Sequence, residues 1–235
     1  MIISKQIKWY LKNLFLSPEY LLFIFIFIFL DLNIGNTYSS SIGGSLSLSG
    51  LTSYFWENAP FQHGVSVIIF IGYVSIILFT HPFESGTWLF EMSLPVTKDR
   101  NFLSKYISGI VFTASTLAFT TILAIFISTN EIFGFDTPYL YLYILSIFTD
   151  VAYVFSFFIF WGILLKRSTG ILVGIISLYI IENYLILPLE IWLPPIIYGH
   201  FIRSIGDFFH VYSYEIPLII FLSVVSYILY RRSEG

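Results

Sequence analysis

Residues 139–165 read YLYLYILSIFTDVAYVFSFFIFWGILL and are followed directly by Lys166 and Arg167. A bilayer core about 30 Å thick needs roughly 20 consecutive apolar residues in a helix. This stretch exceeds that length and contains a single charged residue, Asp150. We therefore predict a membrane-spanning helix that is long enough to be tilted.

The whole chain has the composition of an integral membrane protein. Of its 235 residues, 57% are hydrophobic and only 11% are charged, whereas a soluble domain carries roughly 25% charged residues. So little charge cannot cover a soluble exterior, and so much apolar sequence excludes a disordered chain. The net charge is −3 with 11 Lys and Arg, so no basic field exists to bind nucleic acid. The sequence predicts an all-α integral membrane protein.

Six candidate spans make up a single transmembrane domain over residues 1–235. They lie near 19–36, 63–80, 106–128, 139–165, 169–187 and 213–230. Basic residues concentrate on the cytoplasmic side of membrane proteins. With six spans and both termini in the cytoplasm, ten of the 11 Lys and Arg lie inside and only Arg203 lies outside. We therefore expect a multi-pass protein of the cell membrane with this orientation.

Residues 1–17 predict an amphipathic helix that lies in the cytoplasmic interface. Its apolar face consists of Ile3, Ile7, Tyr10, Leu11 and Leu14, and Lys5, Lys8 and Lys12 occupy the opposite face. Ser17-Pro18-Glu19 then provides a helix N-cap, a proline at the first helical position and an acid in the first turn. The pattern predicts an elbow between this helix and the first span.

The segment before the sixth span, about 188–212, predicts a second amphipathic element. Three prolines interrupt it, at Pro188, Pro194 and Pro195. Apolar residues then share one helical face, namely Phe201, Ile202, Ile205, Phe208 and Phe209. We expect a short amphipathic helix or a re-entrant hairpin at the outer interface.

The loop between spans two and three carries the most informative sequence, because residues 83–97 read FESGTWLFEMSLPVT. At helical spacing its polar stripe consists of Glu84, Thr87 and Glu91, with Trp88, Leu89 and Met92 on one flank. Pro95 ends such a helix. A helix this apolar outside the spans needs a covering surface, either the lipid interface or another protein. We predict a cytoplasmic helix over 83–95.

The residues Glu84-Ser85-Gly86-Thr87, then Leu94-Pro95-Val96-Thr97 and then Lys105, resemble the permease family of ABC-2 type transporters. The resemblance implies that this stretch is a coupling helix seated in a groove of a separate ATPase subunit. The coupling residues it implies are Glu84, Gly86, Thr87, Trp88, Glu91, Met92, Leu94 and Pro95. It also implies two six-span units, as two copies or as this chain with a sister permease, above two ATPase subunits.

Catalytic and metal-binding motifs are absent from the sequence. No Gly-x-x-x-x-Gly-Lys-Ser/Thr loop occurs, so we expect ATP and Mg²⁺ to bind the partner ATPase and no cofactor to bind this chain. Neither the His-Glu-x-x-His nor the Gly-x-Ser-x-Gly motif occurs, and the chain has no cysteine. His81 is predicted inside and the other three histidines outside, so we expect no metal site and no enzyme activity.

Three acidic residues, Asp31, Asp150 and Glu182, fall within predicted spans. Charges there are costly and often functional. Counted at about 1.5 Å per residue, all three lie in the outer half of the bilayer. They are candidates for the lining of a translocation path or for a proton site. The alternative is contact with outer headgroups or pairing with neighbouring spans.

The resemblance implies an exporter of an amphipathic or hydrophobic substrate. One alternative is the substrate-binding membrane subunit of an importer or an ion-driven carrier. Carriers usually show internal repeats and helices broken near the midplane, and neither is evident here. Another alternative is an intramembrane enzyme that uses Asp150 and Glu182, which requires the two carboxyl groups to converge.

Overall fold

The computed structural model describes residues 2–42, 66–87, 97–129, 137–180, 206, 208–209, 212–213 and 215–232. Its helices are α1 (Ile2–Phe15), α2 (Pro18–Ile42), α3 (Ser66–Glu84), α4 (Lys98–Thr129), α5 (Thr137–Leu165), α6 (Thr169–Ile180) and α7 (Glu215–Arg232). No strand occurs within the described ranges. The predicted all-α class is therefore confirmed for this part of the chain.

Three of these helices are long and apolar enough to cross a membrane. They are Ser66–Glu84, Lys98–Leu123 within α4 and Ile144–Leu165 within α5, and they coincide with predicted spans two, three and four. The pair formed by α1 and α2 is a fourth candidate if the bent pair counts as one span. The architecture fits a helical membrane protein.

The first, fifth and sixth predicted spans differ from the helices in the structure. The first span was predicted to end near 36, but helix α2 continues to Ile42. Helix α6 has 12 described residues, and 181–187 lie outside the described part of the chain. Helix α7 has 18 residues, but Glu215 and two arginines occupy its ends, so its apolar stretch is shorter than a bilayer core requires. The six-span count and the orientation stay predictions.

The predicted elbow after residue 15 is present. Ser4–Phe15 and Pro18–Asn33 meet at a bend of 70°. The Ser17 backbone carbonyl accepts a hydrogen bond from the Tyr20 N–H at 3.1 Å. However, the Ser17 hydroxyl donates backwards to the Leu14 carbonyl at 2.9 Å. The expected side-chain cap is therefore wrong, because Ser17 satisfies the end of α1 rather than the start of α2.

Helix α1 is amphipathic as predicted, but its apolar face packs on protein. Tyr10 and Leu14 are buried, while Lys5, Lys8 and Lys12 are exposed. The covering element is α4. The amphipathic pattern thus identifies a helix docked on the bundle, and the α1 surface left for a lipid interface is the exposed flank that carries Trp9.

Helix α3 widens by one residue just before a proline. Its segment Ile76–Thr80 is a π-helical turn, in which the His81 N–H donates to the Ile76 carbonyl. Pro82 follows directly. Proline lacks an N–H, and its ring clashes with the carbonyl four residues earlier in a regular α-helix. A widened turn relieves that clash without ending the helix.

Aromatic rings from four helices meet in the core. Phe79 of α3, Phe102 of α4, Phe155 of α5 and Tyr230 of α7 lie with neighbouring ring centroids 5.4 to 6.3 Å apart. Such spacings are typical of edge-to-face aromatic contacts. The cluster joins four helices that are distant in sequence, so it fixes the bundle geometry around the sites described below.

Helices α5 and α6 form a tight hairpin. Lys166 has a φ of +52° in the turn. A Cβ atom added to Gly170 would lie 2.5 Å from the Trp161 carbonyl oxygen and 2.9 Å from the Gly162 Cα. Because both atoms belong to the backbone, only glycine at position 170 permits this approach.

Candidate functional site

One end of the bundle gathers most of the basic residues. We call it the basic end and define it by α1, the end of α3, the start of α4, the α5–α6 turn and the end of α7. Hydrogen bonds between these segments hold it together. For example, the Tyr227 hydroxyl of α7 donates to Asp99 Oδ1 of α4 at 2.7 Å. The segments predicted to be cytoplasmic thus lie side by side.

Glu84, the first of the predicted coupling residues, bonds to another loop of the same chain. Its Oε1 accepts the Ser168 backbone N–H and the Ser168 hydroxyl, each at 2.7 Å. Glu84 lies beyond the predicted span that ends at 80, and its carboxylate is exposed. The hydrogen bonds from Ser168 hold the pKa of Glu84 below its usual range, and the bond from the backbone N–H has the larger effect. The Glu84–Ser168 bond therefore ties the α3–α4 connection to the α5–α6 turn.

Gly86 interrupts the helix that the sequence predicts over 83–95. Its φ is +73°, a conformation that side chains rarely adopt. Glu84 ends α3, and the Ser85 hydroxyl bonds to the His81 carbonyl at 2.7 Å. The predicted polar stripe is therefore wrong at its start, because Glu84 and Thr87 do not share one helix. Among the described residues, no atom lies within 4 Å of the position that a Gly86 Cβ would take, so within this part of the chain the positive φ is what favours glycine.

The other predicted coupling residues are only partly described. The Thr87 hydroxyl lies 2.9 Å from the Ser85 hydroxyl, in an exposed position. Outside the described residues lie Trp88, Glu91, Met92, Leu94 and Pro95. Their coupling role stays a prediction.

A buried polar network at the basic end was missed by sequence reasoning. Tyr10 donates to Asn101 Oδ1 at 2.7 Å, and Asn101 Nδ2 donates to the Tyr230 hydroxyl at 3.1 Å. One turn further along α4, the Lys105 Nζ lies 5.8 Å from the centre of the Tyr10 ring and 6.0 Å from that of Phe79. Lys105 is only 1% exposed. The network joins the first helix, the last helix and the start of α4.

The predicted boundary between loop and span explains why this network was not expected. The predicted loop ended at Lys105 and the span began at 106, so Asn101 and Lys105 counted as solvated loop residues. Helix α4 instead begins at Lys98. Residues 98–105 are therefore helical and lie against α1, which buries polar groups that hydropathy assigns to solvent.

The three predicted path acids do not form one described site. Asp31 is fully buried on α2 and lies beside the Thr120 side chain of α4. Asp150 is buried on α5. Glu182 lies outside the described residues. A shared path lined by all three acids, and an enzyme that joins Asp150 with Glu182, therefore gain no support.

Asp150 instead meets acidic and phenolic groups that the sequence analysis did not select. Tyr212 lies in the field of both Asp150 and Glu215 and next to Ser146. We call Ser146, Asp150, Tyr212 and Glu215 the acid cluster. Glu215 opens α7 and resembles an ordinary acid in a first helical turn. The burial of Glu215 follows from the packing of α7 on α5, which the sequence does not indicate.

Two comparisons of the sequence with known proteins gave no match. A scan against protein-family models found no match. A search of curated proteins found no significant match either. A functional proposal for this chain therefore rests on its sequence pattern and on the geometry described above.

Proposed function

We propose that this chain is the six-span transmembrane subunit of an ATP-driven ABC-2 type transporter that exports an amphipathic or hydrophobic substrate. The observation that carries the proposal is the Glu-Ser-Gly-Thr to Leu-Pro-Val-Thr pattern over 84–97, which directly follows an apolar helix of membrane length. A separate ATPase binds ATP and Mg²⁺ and drives the transporter through residues 83–95.

The arrangement of the basic end supports the proposed orientation. Basic residues concentrate on the cytoplasmic side, and the segments that carry them touch one another through the Tyr10, Asn101 and Tyr230 contacts. An ATPase docked at this end meets the α3–α4 connection and the α5–α6 turn together.

The hydrogen bonds between Glu84 and Ser168 support a route by which movement of the ATPase reaches the transmembrane helices. Closure of the ATPase subunits moves the 83–95 segment, and Glu84 transmits that displacement to the α5–α6 turn through its two bonds to Ser168. Because α5 and α6 approach at backbone distance near Gly170, they move as a rigid pair. This movement contributes to alternating access between the two sides of the membrane.

Exposed apolar side chains provide surfaces for lipid and for a second permease. On α2 they include Leu21, Leu22, Phe25 and Phe29, and on α7 they include Ile220, Phe221, Val224 and Ile228. A membrane covers such surfaces without the penalty that water imposes. One of them holds the second permease, either a copy of this chain or a sister subunit.

Replacement of the aromatic and thioether side chains in the loop tests the proposal. In Trp88→Ala/Met92→Ala, we expect ATPase recovery in a pull-down to fall and substrate-stimulated ATP hydrolysis to be lost. An aromatic anchor contributes on the order of 2 kcal/mol to an interface. A control is Phe119→Ala on α4, an exposed aromatic residue outside the surfaces on α2 and α7, which leaves ATPase binding intact. Parent-level binding and hydrolysis in the loop variant would contradict the proposal.

A further inference from the structure

The side of α1 that points away from the bundle is basic and aromatic. Four exposed side chains recur on it at helical spacing, namely Lys5, Lys8, Trp9 and Lys12. Trp9 is 58% exposed, whereas Tyr10 and Leu14 on the opposite side of the helix are buried. We call these four exposed residues the lysine–tryptophan face.

The positive charge of this face is not balanced on α1 itself, because Ile2–Phe15 contains no Asp or Glu. The first acid of the next helix, Glu19, accepts a hydrogen bond from the Tyr73 hydroxyl of α3 at 3.0 Å. At the start of α4, Asp99 accepts one from the Tyr227 hydroxyl of α7. The lysine–tryptophan face therefore presents three ammonium groups beside an indole ring, a surface that complements negative charge.

Helix α1 crosses α4 where α4 passes from polar to apolar sequence. Its polar contacts fall on residues 101–108 of α4. The Ser104 hydroxyl donates to Gln6 Oε1 at 3.2 Å, and the Ser108 hydroxyl lies 3.5 Å from the Ile7 carbonyl oxygen. The apolar span predicted from the sequence begins at 106, within this stretch. The crossing point therefore lies at the depth where a membrane has its headgroups.

The bend between α1 and α2 gives α1 the direction of a helix at a membrane surface. It measures 70°, so α1 turns away from the axis of α2 and toward the plane of the membrane. Just past α1, Leu16 is 71% exposed, and on α2 the exposed side chains Leu21 and Phe25 are apolar. The lysine–tryptophan face is thus continuous with an apolar surface that faces lipid.

We propose that the lysine–tryptophan face binds the headgroups of anionic phospholipids at the basic end of the bundle. The ammonium groups pair with headgroup phosphates, and Trp9 lies at the boundary between headgroups and acyl chains, where tryptophan is enriched. One lysine near an anionic membrane surface raises association roughly fivefold. Lipid binding at this face does not depend on the transporter assignment, because it requires only that α2 and α4 lie in a membrane.

The test measures how strongly brominated lipids quench the fluorescence of Trp9 in the purified full chain, reconstituted without any partner. The vesicles contain equal amounts of phosphatidylglycerol and phosphatidylcholine, and only one of the two lipids carries bromine. The Trp9 signal is the difference between the parent and Trp9→Phe. We expect an association constant for phosphatidylglycerol at least about fivefold above that for phosphatidylcholine. The preference shrinks in 1 M NaCl, because the Debye length falls to about 3 Å.

Three triple variants, each measured with and without Trp9→Phe, assign the preference to the lysines. It is lost in Lys5→Gln/Lys8→Gln/Lys12→Gln, which changes only exposed side chains. It is retained in Lys5→Arg/Lys8→Arg/Lys12→Arg, because arginine keeps the positive charge. It is also retained in Arg167→Gln/Arg231→Gln/Arg232→Gln, which removes three exposed charges elsewhere at the basic end.

Four results would overturn the proposal. Equal quenching of Trp9 by the two lipids in the parent means that the face contacts lipid without selecting its charge. No quenching by either lipid means that the face lies in water or against a second copy of the chain. An unchanged preference in the lysine-to-glutamine variant removes the lysines from the site. An equal loss in the arginine-to-glutamine variant means that the overall charge of the basic end attracts the lipid.

Discussion

Replacement of Gly170 by alanine provides a quantitative test of the α5–α6 hairpin. The added Cβ would lie 2.5 Å from the Trp161 carbonyl oxygen and 2.9 Å from the Gly162 Cα. Backbone atoms cannot rotate away, so the hairpin must open. Overpacking of this kind costs about 1–3 kcal/mol, and the upper end applies here because the overlap involves only backbone.

Gly174 on the same helix is the matched control. Its added Cβ would lie 3.1 Å from the Phe158 Cδ1, a side-chain atom that can shift. Alanine also gains about 0.8–1.0 kcal/mol of helix propensity over glycine. We therefore expect Gly174→Ala to be close to neutral, with a loss or gain below about 1 kcal/mol.

The assay is the thermal midpoint of each variant by size-exclusion chromatography in one detergent. About 3 kcal/mol corresponds to a decrease of roughly 6–12 °C for a chain of this length. We expect that decrease in Gly170→Ala and almost none in Gly174→Ala. Equal midpoints for the two variants would refute the backbone contact between α5 and α6.

Three further predictions concern the basic end and the orientation. Tyr10→Phe deletes the 2.7 Å hydrogen bond to Asn101 and lowers the free energy of unfolding by about 1–3 kcal/mol, whereas Trp9→Phe on the exposed flank leaves the denaturation midpoint unchanged. If the chain is the proposed permease, Glu84→Gln lowers the amount of substrate transported per ATP hydrolysed, which assays of both rates in the reconstituted complex measure. The pKa of Glu84 is lowered, so its hydrogen bonds to Ser168 are fully present above the usual carboxyl pKa of about 4.3. They are lost as the pH falls through the lowered pKa. NMR titration of the Glu84 carboxyl group measures this pKa. A cysteine at Ser45 reacts with an impermeant reagent from outside, and one at Ser168 only after permeabilisation; outside labelling at 168 would contradict the orientation.

Hydropathy was sufficient to predict the helical class and the central helices. The apolar run at 139–165 became α5, because a long stretch with a single charged residue, Asp150, leaves the backbone no alternative to internal hydrogen bonds in lipid. The bend at Pro18 was also predictable from the sequence, since a proline and an acidic residue in the first turn indicate the start of a helix. These signals are local, and single-sequence reasoning detects them well.

The polar sites depend on contacts between distant segments, which hydropathy does not encode. Asn101 and Glu215 resemble ordinary polar residues near helix ends, yet packing against α1 and α5 buries both. Gly86 has a positive φ that the sequence pattern did not indicate, because a glycine in a predicted helix gives no sign of where the helix ends. The hydrogen bond between Glu84 and Ser168 likewise had no local signal in the sequence, because the two residues are far apart along the chain.

Affinity purification of the chain from its native membranes tests the central claim most directly. The proposal predicts that an ATPase subunit with a phosphate-binding loop copurifies in a fixed ratio to this chain. It also predicts that the purified complex hydrolyses ATP. If the chain purifies with no such subunit, under conditions in which other membrane complexes stay intact, it is not an ATP-driven permease.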